Sequence, residues 1–388
     1  MNTQLLDKFI RKGRLTLIDH RGLVTVFGEG SPSVSWRLNN ASTLSTILRN
    51  PQFQLGETYM AGEWDVVEGS LHDIITILRI NLENNLAGRG HWYKLFSLLG
   101  GWNDIAASRR NVIHHYNLDE ILFRTCLDEN MHYSCAYFPD PEMSLEKAQA
   151  AKCHHIAAKL DLKPGQSVLD IGCGWGSLAI YLAEHFDVSV TGITLSSEQL
   201  RVAEERVRQR GLAKRIRFLL VDYREHADVY DRVVSVGMFE HVGKHNYKTF
   251  FNKLTAFLKP HGVALLHTIS SKSMPRSVNP WIRRYIFPGG YIPSLSDIAP
   301  AVEQARLVSA DIEVLRLHYA LTLKAWNMRF QRNRQQFVDS KGERFCRMWE
   351  FYLVSCQTAF EVSNLVVLQW LLSKDIQAVP ITRDYLYR

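Results

Sequence analysis

The sequence predicts an α/β protein with a doubly wound parallel sheet and a small N-terminal α+β domain. From residue 167 onward, strand-like and helix-like segments alternate, and the five strand candidates are nearly continuous apolar runs. Such runs are typical of strands covered on both faces. Residues 15–38, by contrast, contain three short strand patterns separated by glycine-containing turns, and helical apolar spacing follows at 42–50 and 70–84.

The order of these patterns predicts two domains. Residues 1–85 form the small α+β domain, the glycine- and aromatic-rich segment 86–107 is a linker, and residues 108–388 form the larger domain. Within the larger domain we expect helices over 108–160, then the alternating strands, and a proline-rich interruption at 271–295. A long helical stretch at about 321–372 and a terminal strand in IQAVPITRDYL complete the prediction.

Composition excludes several classes of protein. No apolar window of about 18 residues is present, which rules out a transmembrane helix. The N-terminus lacks the apolar core of a secretion signal, and the six cysteines show neither CxxC nor Cys/His metal spacing. We therefore expect a cytoplasmic protein with reduced thiols and no metal. The net charge of +7 permits nucleic acid or anionic lipid as a partner and does not choose between them.

The strongest single motif is Asp-Ile-Gly-Cys-Gly-Trp-Gly at 170–176, where a buried strand ends in a glycine loop. It resembles motif I of class I methyltransferases, which bind S-adenosylmethionine. Asp170 is then expected near the cofactor's ammonium group, with the backbone of Gly172 and Gly174 along its methionine and ribose. The next strand ends without a carboxylate, so Thr194 and Gln199 are the polar substitutes for binding the ribose.

The third strand is followed by Asp222, at the place where class I methyltransferases usually hold the adenine. This carboxylate is either an acceptor for the adenine amino group or a solvated loop residue. The sequence leaves the two alternatives open.

Seven segments, taken in order, resemble the cyclopropane-fatty-acyl-phospholipid synthase family over essentially the whole chain. They are LGETYMAGEW, YSCAYF, DIGCGWG, GITLS, MFEHVG, LLHTIS and FYLVSC. The mycolic acid cyclopropane synthases share the catalytic half. The resemblance implies a Rossmann-like methyltransferase sheet, a lipid-engaging N-terminal domain, and cofactor contacts from Tyr133 and Ser134. It also implies transfer of the methyl of S-adenosylmethionine to the cis double bond of an unsaturated phospholipid acyl chain, followed by ring closure.

Ring closure requires a general base, because one proton must leave the added methyl group. Family members hold a bicarbonate ion in this role. The resemblance places its ligands here at Cys135, Glu240, His267, the backbone of Ile269, and Tyr319. A carboxylate beside an anion is acceptable, since bicarbonate keeps an O–H that donates to it. Cys356 matches a family cysteine, which we interpret as pocket lining rather than a nucleophile.

An alkene that attacks a sulfonium methyl leaves a carbocation, and aromatic ring faces in a dry pocket stabilise cations. The candidates for the substrate pocket, each with ordinary core packing as the alternative, are Tyr116, Tyr137, Phe138, Phe287 and Tyr291.

A phospholipid substrate implies peripheral association with the inner face of the membrane. Leu5, Leu6, Phe9 and Ile10 share one helical face, which suits either an interfacial helix or packing on the protein's own domain. The family also makes a homodimer an expectation.

Three alternative functions remain. One is a lipid C-methyltransferase that leaves a methyl or methylene branch without closing a ring. Another is a nucleic-acid or small-molecule methyltransferase, disfavoured because no base-flipping motif is present. The third is a non-catalytic lipid-binding protein, disfavoured because the motifs are complete.

Overall fold

The computed structural model describes residues 3–86, 120–273 and 275–387, and the chain divides into two compact units. The first unit contains the described residues up to 86 together with 278–287 and 323–364. The second contains 120–277, 288–322 and 365–387, as far as they are described. The predicted linker 86–107 lies almost entirely outside the described residues. The boundaries of the domains 1–85 and 108–388 therefore stay predictions.

The described elements are numbered here in chain order. The strands are β1 (Arg14–Ile18), β2 (Val24–Phe27), β3 (Ser33–Leu38), β4 (Trp64–Glu68), β5 (Ser167–Ile171), β6 (Ser189–Thr194), β7 (Ile216–Leu220), β8 (Tyr230–Val236), β9 (Leu258–Ser271), β10 (Arg276–Ser277), β11 (Tyr291–Ile292), β12 (Val308–Leu315) and β13 (Leu365–Ser373). The helices are α1 (Thr3–Phe9), α2 (Thr43–Arg49), α3 (Pro51–Met60), α4 (Leu71–Leu86), α5 (Glu120–Cys126), α6 (Leu145–Lys159), α7 (Ser177–His185), α8 (Ser197–Gln209), α9 (Tyr247–Phe257), α10 (Pro280–Tyr285), α11 (Leu295–Gln304), α12 (His318–Arg332), α13 (Arg334–Lys341) and α14 (Glu343–Val362).

The first unit is built on a four-stranded sheet of order β2-β1-β3-β4. The three predicted strands of residues 15–38 are confirmed, and β4 completes the sheet. Alternation puts Leu15 and Leu17 of β1 in the core, while Trp36 and Trp64 pack edge to face with ring centroids 5.5 Å apart. Helix α14 packs against α3 and α4, so residues distant in sequence complete this core.

Helix α1 packs on its own unit. Leu6 and Ile10 are buried, and the backbone N–H groups of Arg11 and Lys12 donate to Asn81 Oδ1 on α4 at 2.7 and 3.0 Å. Of the two alternatives for the N-terminal amphipathic face, the structure favours internal packing, because two of its four apolar side chains already lie in the core.

The second unit contains a seven-stranded sheet of order β12-β13-β9-β8-β5-β6-β7. The five predicted strands are β5 to β9, and all of them pair in parallel, which confirms the doubly wound α/β fold. Each face of the sheet has its own core cluster. Leu169 and Ile171 of β5 belong to one cluster and Val168 to the other, because successive residues of a strand point to opposite faces. The chain runs from β5 to one side of the sheet and later returns to the other, so a crevice is expected at the carboxyl ends of β5 and β8.

The C-terminal prediction was wrong in two places. Residues 365–372, expected to be helical, form β13, which pairs antiparallel with both β9 and β12. The expected terminal strand at 376–386 is absent from the described residues there, which instead contain a short 3-10 turn at Arg383–Tyr387. The run LVVLQWLLS is apolar on both faces because it lies inside the sheet, and such a short run has no periodicity that separates strand from helix.

None of the helices in the described part of the chain has the length and apolar character needed to cross a membrane.

Candidate active site

A cavity opens where the strand order predicts it, at the carboxyl ends of β5, β6 and β8 in the second unit. Its volume is about 1140 Å³, a figure that includes the mouth open to solvent. Every residue predicted to bind the cofactor is in its lining: Tyr133, Ser134, Asp170, Gly172, Gly174, Thr194, Gln199 and Asp222. The structure therefore brings this group together, while the function of each member stays a prediction.

The glycine loop after β5 needs glycine for steric reasons. Gly172 has φ +82°, and a Cβ atom there would lie 2.7 Å from the Cβ of Met238. Gly174 has φ +53° and faces the amide of Gln199. A side chain at Gly172 would thus be strained and would also collide with the turn after β8, so the backbone stays exposed to the cavity.

Asp170 is a buried carboxylate at the cavity wall. It is 2% exposed, and its Oδ2 has no hydrogen-bond partner among the described residues. Burial raises the pKa of Asp170 to about 7, although the positive charges of Lys152 and His132 act in the opposite direction. A buried acceptor without a donor costs free energy, so this oxygen is suited to a cationic or N–H donor from a ligand.

Thr194 and Gln199 form a unit at the end of β6. The Thr194 hydroxyl donates to Gln199 Oε1 at 3.0 Å, which fixes the side-chain amide. The other end of that amide, Nε2, is buried with no acceptor in the described part of the chain. The amide therefore offers a positioned donor at the place where a carboxylate is more usual.

Asp222 follows β7 in the chain and is 1% exposed. Its two oxygens accept hydrogen bonds from the Arg224 guanidinium at 2.7 and 2.8 Å. The alternative of a solvated loop carboxylate is therefore wrong, because the side chain is buried in an ion pair at the cavity wall.

Glu240 lies in the 3-10 turn Phe239–His241 that follows β8. Its Oε1 accepts the backbone N–H of Ile269 at 2.5 Å, and its Oε2 has no partner within the described residues. Burial raises the pKa of Glu240, while the hydrogen bond from Ile269 opposes this shift. The Ile269 amide, which the family resemblance gives to the oxyanion, thus donates to Glu240 in this structure, and its predicted role is untested.

His267 lies on β9 opposite Val236 of β8, and Gly237 N–H donates to its carbonyl at 2.9 Å. Gln369 Nε2, on β13, donates to the imidazole Nδ1 at 3.2 Å. Burial lowers the pKa of His267 to about 3, with Lys152 acting in the same direction. The ring is therefore neutral at physiological pH.

Cys135 lies in the segment 131–138, which α12 holds in place. The backbone N–H of Ala136 donates to Thr322 Oγ1 at 3.0 Å, one turn after Tyr319 on the same helix. Burial raises the pKa of the Cys135 thiol, so it is not a thiolate nucleophile. The hydrogen bond to Thr322 places the segment that carries Cys135 next to the turn of α12 that carries Tyr319. In the same way, the turn after β8 places Glu240 next to Ile269.

The predicted substrate-pocket aromatics that the structure describes do not line this cavity. Tyr137 is stacked between His155 and His318, with ring centroids 4.2 and 4.9 Å away, and Tyr291 donates to Asp297 at 3.0 Å. Phe138 is buried, and Tyr116 lies outside the described residues.

Two predicted site residues belong to the first unit. Phe287 contacts the ring of Tyr352 at a centroid distance of 5.9 Å. Burial raises the pKa of the Cys356 thiol to about 12, while the charge of Arg79 opposes the shift.

Sequence reasoning missed several residues of the cavity wall, above all Lys152, His132 and His241. Lys152 is 1% exposed, and its Nζ donates to Ser134 Oγ at 3.1 Å. Burial lowers the pKa of His241 to about 4. The sequence did offer a signal for the two histidines, because His132 directly precedes YSCAYF and His241 lies inside MFEHVG. Lys152 is a single basic residue in a helix, and no local pattern indicates it.

Comparison with known protein families gives two matches. A family model described as mycolic acid cyclopropane synthetase matches residues 104–370, and one described as a domain of unknown function matches residues 4–88.

Individual relatives agree with the larger match. The cyclopropane-fatty-acyl-phospholipid synthase of Escherichia coli (strain K12) is 41% identical over 353 residues, 90% of each chain. A tuberculostearic acid methyltransferase of Mycobacterium tuberculosis is 36% identical over 340 residues, 82% of this chain and 78% of the relative. A solved mycolic acid cyclopropane synthase, complexed with SAH (S-adenosylhomocysteine) and CTAB, is 34% identical with a TM-score of 0.65 and covers 69% of this chain and 98% of its own.

Proposed function

The chain belongs to the mycolic acid cyclopropane synthetase family, and from this premise we propose that it is a cyclopropane-fatty-acyl-phospholipid synthase. It is an S-adenosylmethionine-dependent methyltransferase with a Rossmann-like sheet. The reaction adds a methyl group to the cis double bond of an unsaturated phospholipid acyl chain, and a cyclopropane ring closes with loss of one proton. The observation that carries this proposal is the 41% identity to such a synthase over 90% of both chains.

The chemistry of the cavity wall fits S-adenosylmethionine. Bound there, the cofactor supplies an electrophilic methyl group. Asp170, with its unpartnered oxygen, accepts from the ammonium end, and the buried amide of Gln199 donates to a ribose hydroxyl. Asp222 accepts from the adenine amino group, while Gly172 and Gly174 present bare backbone to the ligand.

The group around Glu240 fits a hydrogen-bearing oxyanion, and we assign bicarbonate to it. Bound bicarbonate supplies the general base for ring closure. The buried Glu240 Oε2 accepts its hydrogen, and the neutral His267 ring donates from Nε2. Cys135 and the Tyr319 hydroxyl complete the set. These residues would hold the base and exclude bulk water from it.

The substrate side of the proposal is an unsaturated phospholipid in a membrane. We propose peripheral association with the inner face of the cytoplasmic membrane, supported by the net charge of +7. A homodimer remains part of this proposal, as does stabilisation of the carbocation by aromatic residues such as Phe138 and Tyr137. Residues 1–85 are the segment we expect to engage lipid.

The second candidate is a lipid C-methyltransferase that leaves a branch, and the 36% identical tuberculostearic acid methyltransferase is the reason to test it. The enzyme is incubated with S-adenosylmethionine and vesicles of unsaturated phosphatidylethanolamine, with and without bicarbonate. Because cyclopropane and methylene products have equal mass, the lipids are examined by NMR for ring protons. Ring protons and a rate that rises with bicarbonate support the proposal. Branched product alone contradicts it.

A further inference from the structure

Lys152 is a buried cation without a carboxylate partner among the described residues. It lies on α6, is 1% exposed, and lines the cofactor cavity. Within that part of the chain its ammonium makes a hydrogen bond only with Ser134, at 3.1 Å. A buried ammonium group is costly unless it is paired, so this position needs a charged counterpart or a function.

Asp170 is a buried carboxylate on which the positive charge of Lys152 acts. Its Oδ2 lacks a partner in the described part of the chain, and the groups that act on it are Lys152 on α6, His132 in the preceding loop, and Cys173 in the glycine loop. His132 is already bonded to Asp128 at 2.8 Å and to Cys153 at 3.2 Å. Lys152 also has the larger effect of the two cations in lowering the pKa of Asp170.

Ser134 is oriented by the same ammonium group. An ammonium has donors only, so Ser134 Oγ must be the acceptor and the hydroxyl hydrogen is left for another acceptor. Gln149 Nε2 holds the Ser134 carbonyl at 3.0 Å, which fixes the backbone at this point. Ser134 also lines the cavity, so its hydroxyl is a positioned donor in the wall that contains Asp170.

We propose that Lys152 is a positioning residue for the amino-acid end of the cofactor. Its ammonium group lines the same cavity as Asp170 and favours the ionised form of that carboxylate, which accepts from the ligand's ammonium group. It also leaves the Ser134 hydroxyl free to donate to the ligand's carboxylate. The inference deepens the proposed function, because it rests on S-adenosylmethionine as the ligand of this cavity.

The test compares two ligands that differ only at the amino-acid end. S-adenosylhomocysteine has that end, whereas 5′-deoxy-5′-methylthioadenosine lacks it. For Lys152→Met we expect binding of S-adenosylhomocysteine to weaken about tenfold or more at pH 7.5, as for a lost charge-assisted contact. Binding of methylthioadenosine should stay within about twofold of the wild type, since its contacts lie at the other end.

The pH profile separates this function from a merely structural one. The affinity of the wild type for S-adenosylhomocysteine should fall as the pH drops through about 7, because protonated Asp170 no longer attracts an ammonium group. Without Lys152 the pKa of Asp170 rises further, so the same fall should appear at higher pH. The affinity for methylthioadenosine should show neither change.

Lys159→Met is the matched control. Lys159 lies on the same helix and is also 1% exposed, but it is paired with Glu313 at 2.5 Å. It should leave the affinity ratio of the two ligands and the pH profile unchanged. Ser134→Ala is a second variant in case Lys152→Met does not fold. It should weaken S-adenosylhomocysteine binding while keeping the wild-type pH profile.

Each outcome decides one question. Unchanged binding of S-adenosylhomocysteine in Lys152→Met, or an equal loss for both ligands, overturns the inference. A wild type that binds neither ligand refutes the proposed cofactor instead.

Discussion

Asp170 and Glu240 are two buried carboxylates of the second unit that have different surroundings. Burial raises the pKa of both Asp170 and Glu240, but their surroundings differ. Asp170 faces the cations Lys152 and His132, which favour its ionised form. Glu240 is held by a neutral amide, that of Ile269. The first is suited to binding a cation, and the second to sharing a hydrogen with an oxyanion.

Glu240→Gln should lower the rate of cyclopropane formation on unsaturated phospholipid vesicles by at least about 100-fold, the range seen when a proton-transfer group is disabled. The amide nitrogen that replaces one carboxylate oxygen donates and cannot accept the oxyanion's hydrogen. NMR of the cyclopropane ring protons in the recovered lipids measures the rate. Binding of S-adenosylhomocysteine serves as the control and should be unchanged, because Glu240 is not in the lining of the cofactor cavity. Turnover near the wild-type rate would contradict the assignment.

Gln199→Leu should weaken both S-adenosylhomocysteine and methylthioadenosine by about tenfold, since a donor aimed at the shared ribose is lost. Titration calorimetry measures both affinities. Gln209→Ala, at the exposed end of the same helix α8, is the matched control. Selective loss of only one ligand would show that Gln199 does not bind the ribose.

At this scale the sequence could predict residues that stand inside a motif. Asp170 and Gln199 follow from the glycine loop and from the missing carboxylate after β6, and both lie in the cavity wall. Lys152 and Thr322 could not be predicted, because each acts through a contact with a loop distant in sequence. Tyr137 was proposed for the pocket because it is aromatic, yet its stacking on two histidines depends on tertiary packing.

At the scale of elements, close approaches hold each unit together. In the first unit, a Cβ atom on Gly56 of α3 would lie 2.6 Å from Trp281 Nε1 of α10, and Trp281 is fully buried. In the second unit, Thr322 of α12 accepts from the backbone of the segment that carries Cys135. Each contact depends on the identity of a single side chain, so each can be tested by one substitution.

Gly56→Ala should lower the free energy of unfolding by about 1–3 kcal/mol, the usual cost of overpacking a core. The new methyl group would lie too close to the buried, rigid indole of Trp281, so α3 or α10 would have to shift. Chemical denaturation measures the change. Gln52→Ala, at an exposed position of the same helix, is the control and should be nearly neutral. Equal stability of Gly56→Ala and the wild type would show that α3 and α10 move apart at little cost.

Thr322→Val keeps the shape of the side chain but removes the acceptor of the Ala136 N–H. We expect a loss of about 1–3 kcal/mol in stability, because a buried donor is left unsatisfied, together with a lower turnover rate. Thr125→Val removes a hydroxyl whose hydrogen bond runs to the preceding turn of its own helix, so its effect should be smaller. Stability and labelled-methyl transfer are measured for both. Equal losses of stability and turnover in the two variants would show that the hydrogen bond from Ala136 to Thr322 has no special importance.

Elements with strong local signals could be predicted, and the others could not. The strands β5 to β9 are nearly continuous apolar runs, so their position was clear from the sequence. The strand β13 was taken for helix because nothing local distinguishes it, and its place between β9 and β12 is set by tertiary pairing. The packing of α14 on α3 and α4 likewise depends on contacts that no local pattern records.

At the scale of the whole molecule, the net charge of +7 is the property that bears on membranes. We expect binding to unsaturated vesicles to increase with their content of anionic lipid. It should also weaken with salt, since the Debye length falls to about 10 Å at 0.1 M ionic strength. Co-sedimentation measures binding, and neutral phosphatidylcholine vesicles with the same acyl chains are the control. Equal binding to neutral and anionic vesicles at low salt would refute an electrostatic contribution.

The hydrogen bond from Gln369 to His267 has a consequence for shortened chains. Gln369 is the only side chain in the described residues seen to hold the imidazole Nδ1, and it lies on β13. A protease or a premature stop that removes this strand takes the partner away and leaves the ring free to flip between tautomers. Because β13 also pairs with β9 and β12, a chain that ends near residue 364 should lose stability as well as this hydrogen bond, which chemical denaturation of the shortened chain measures.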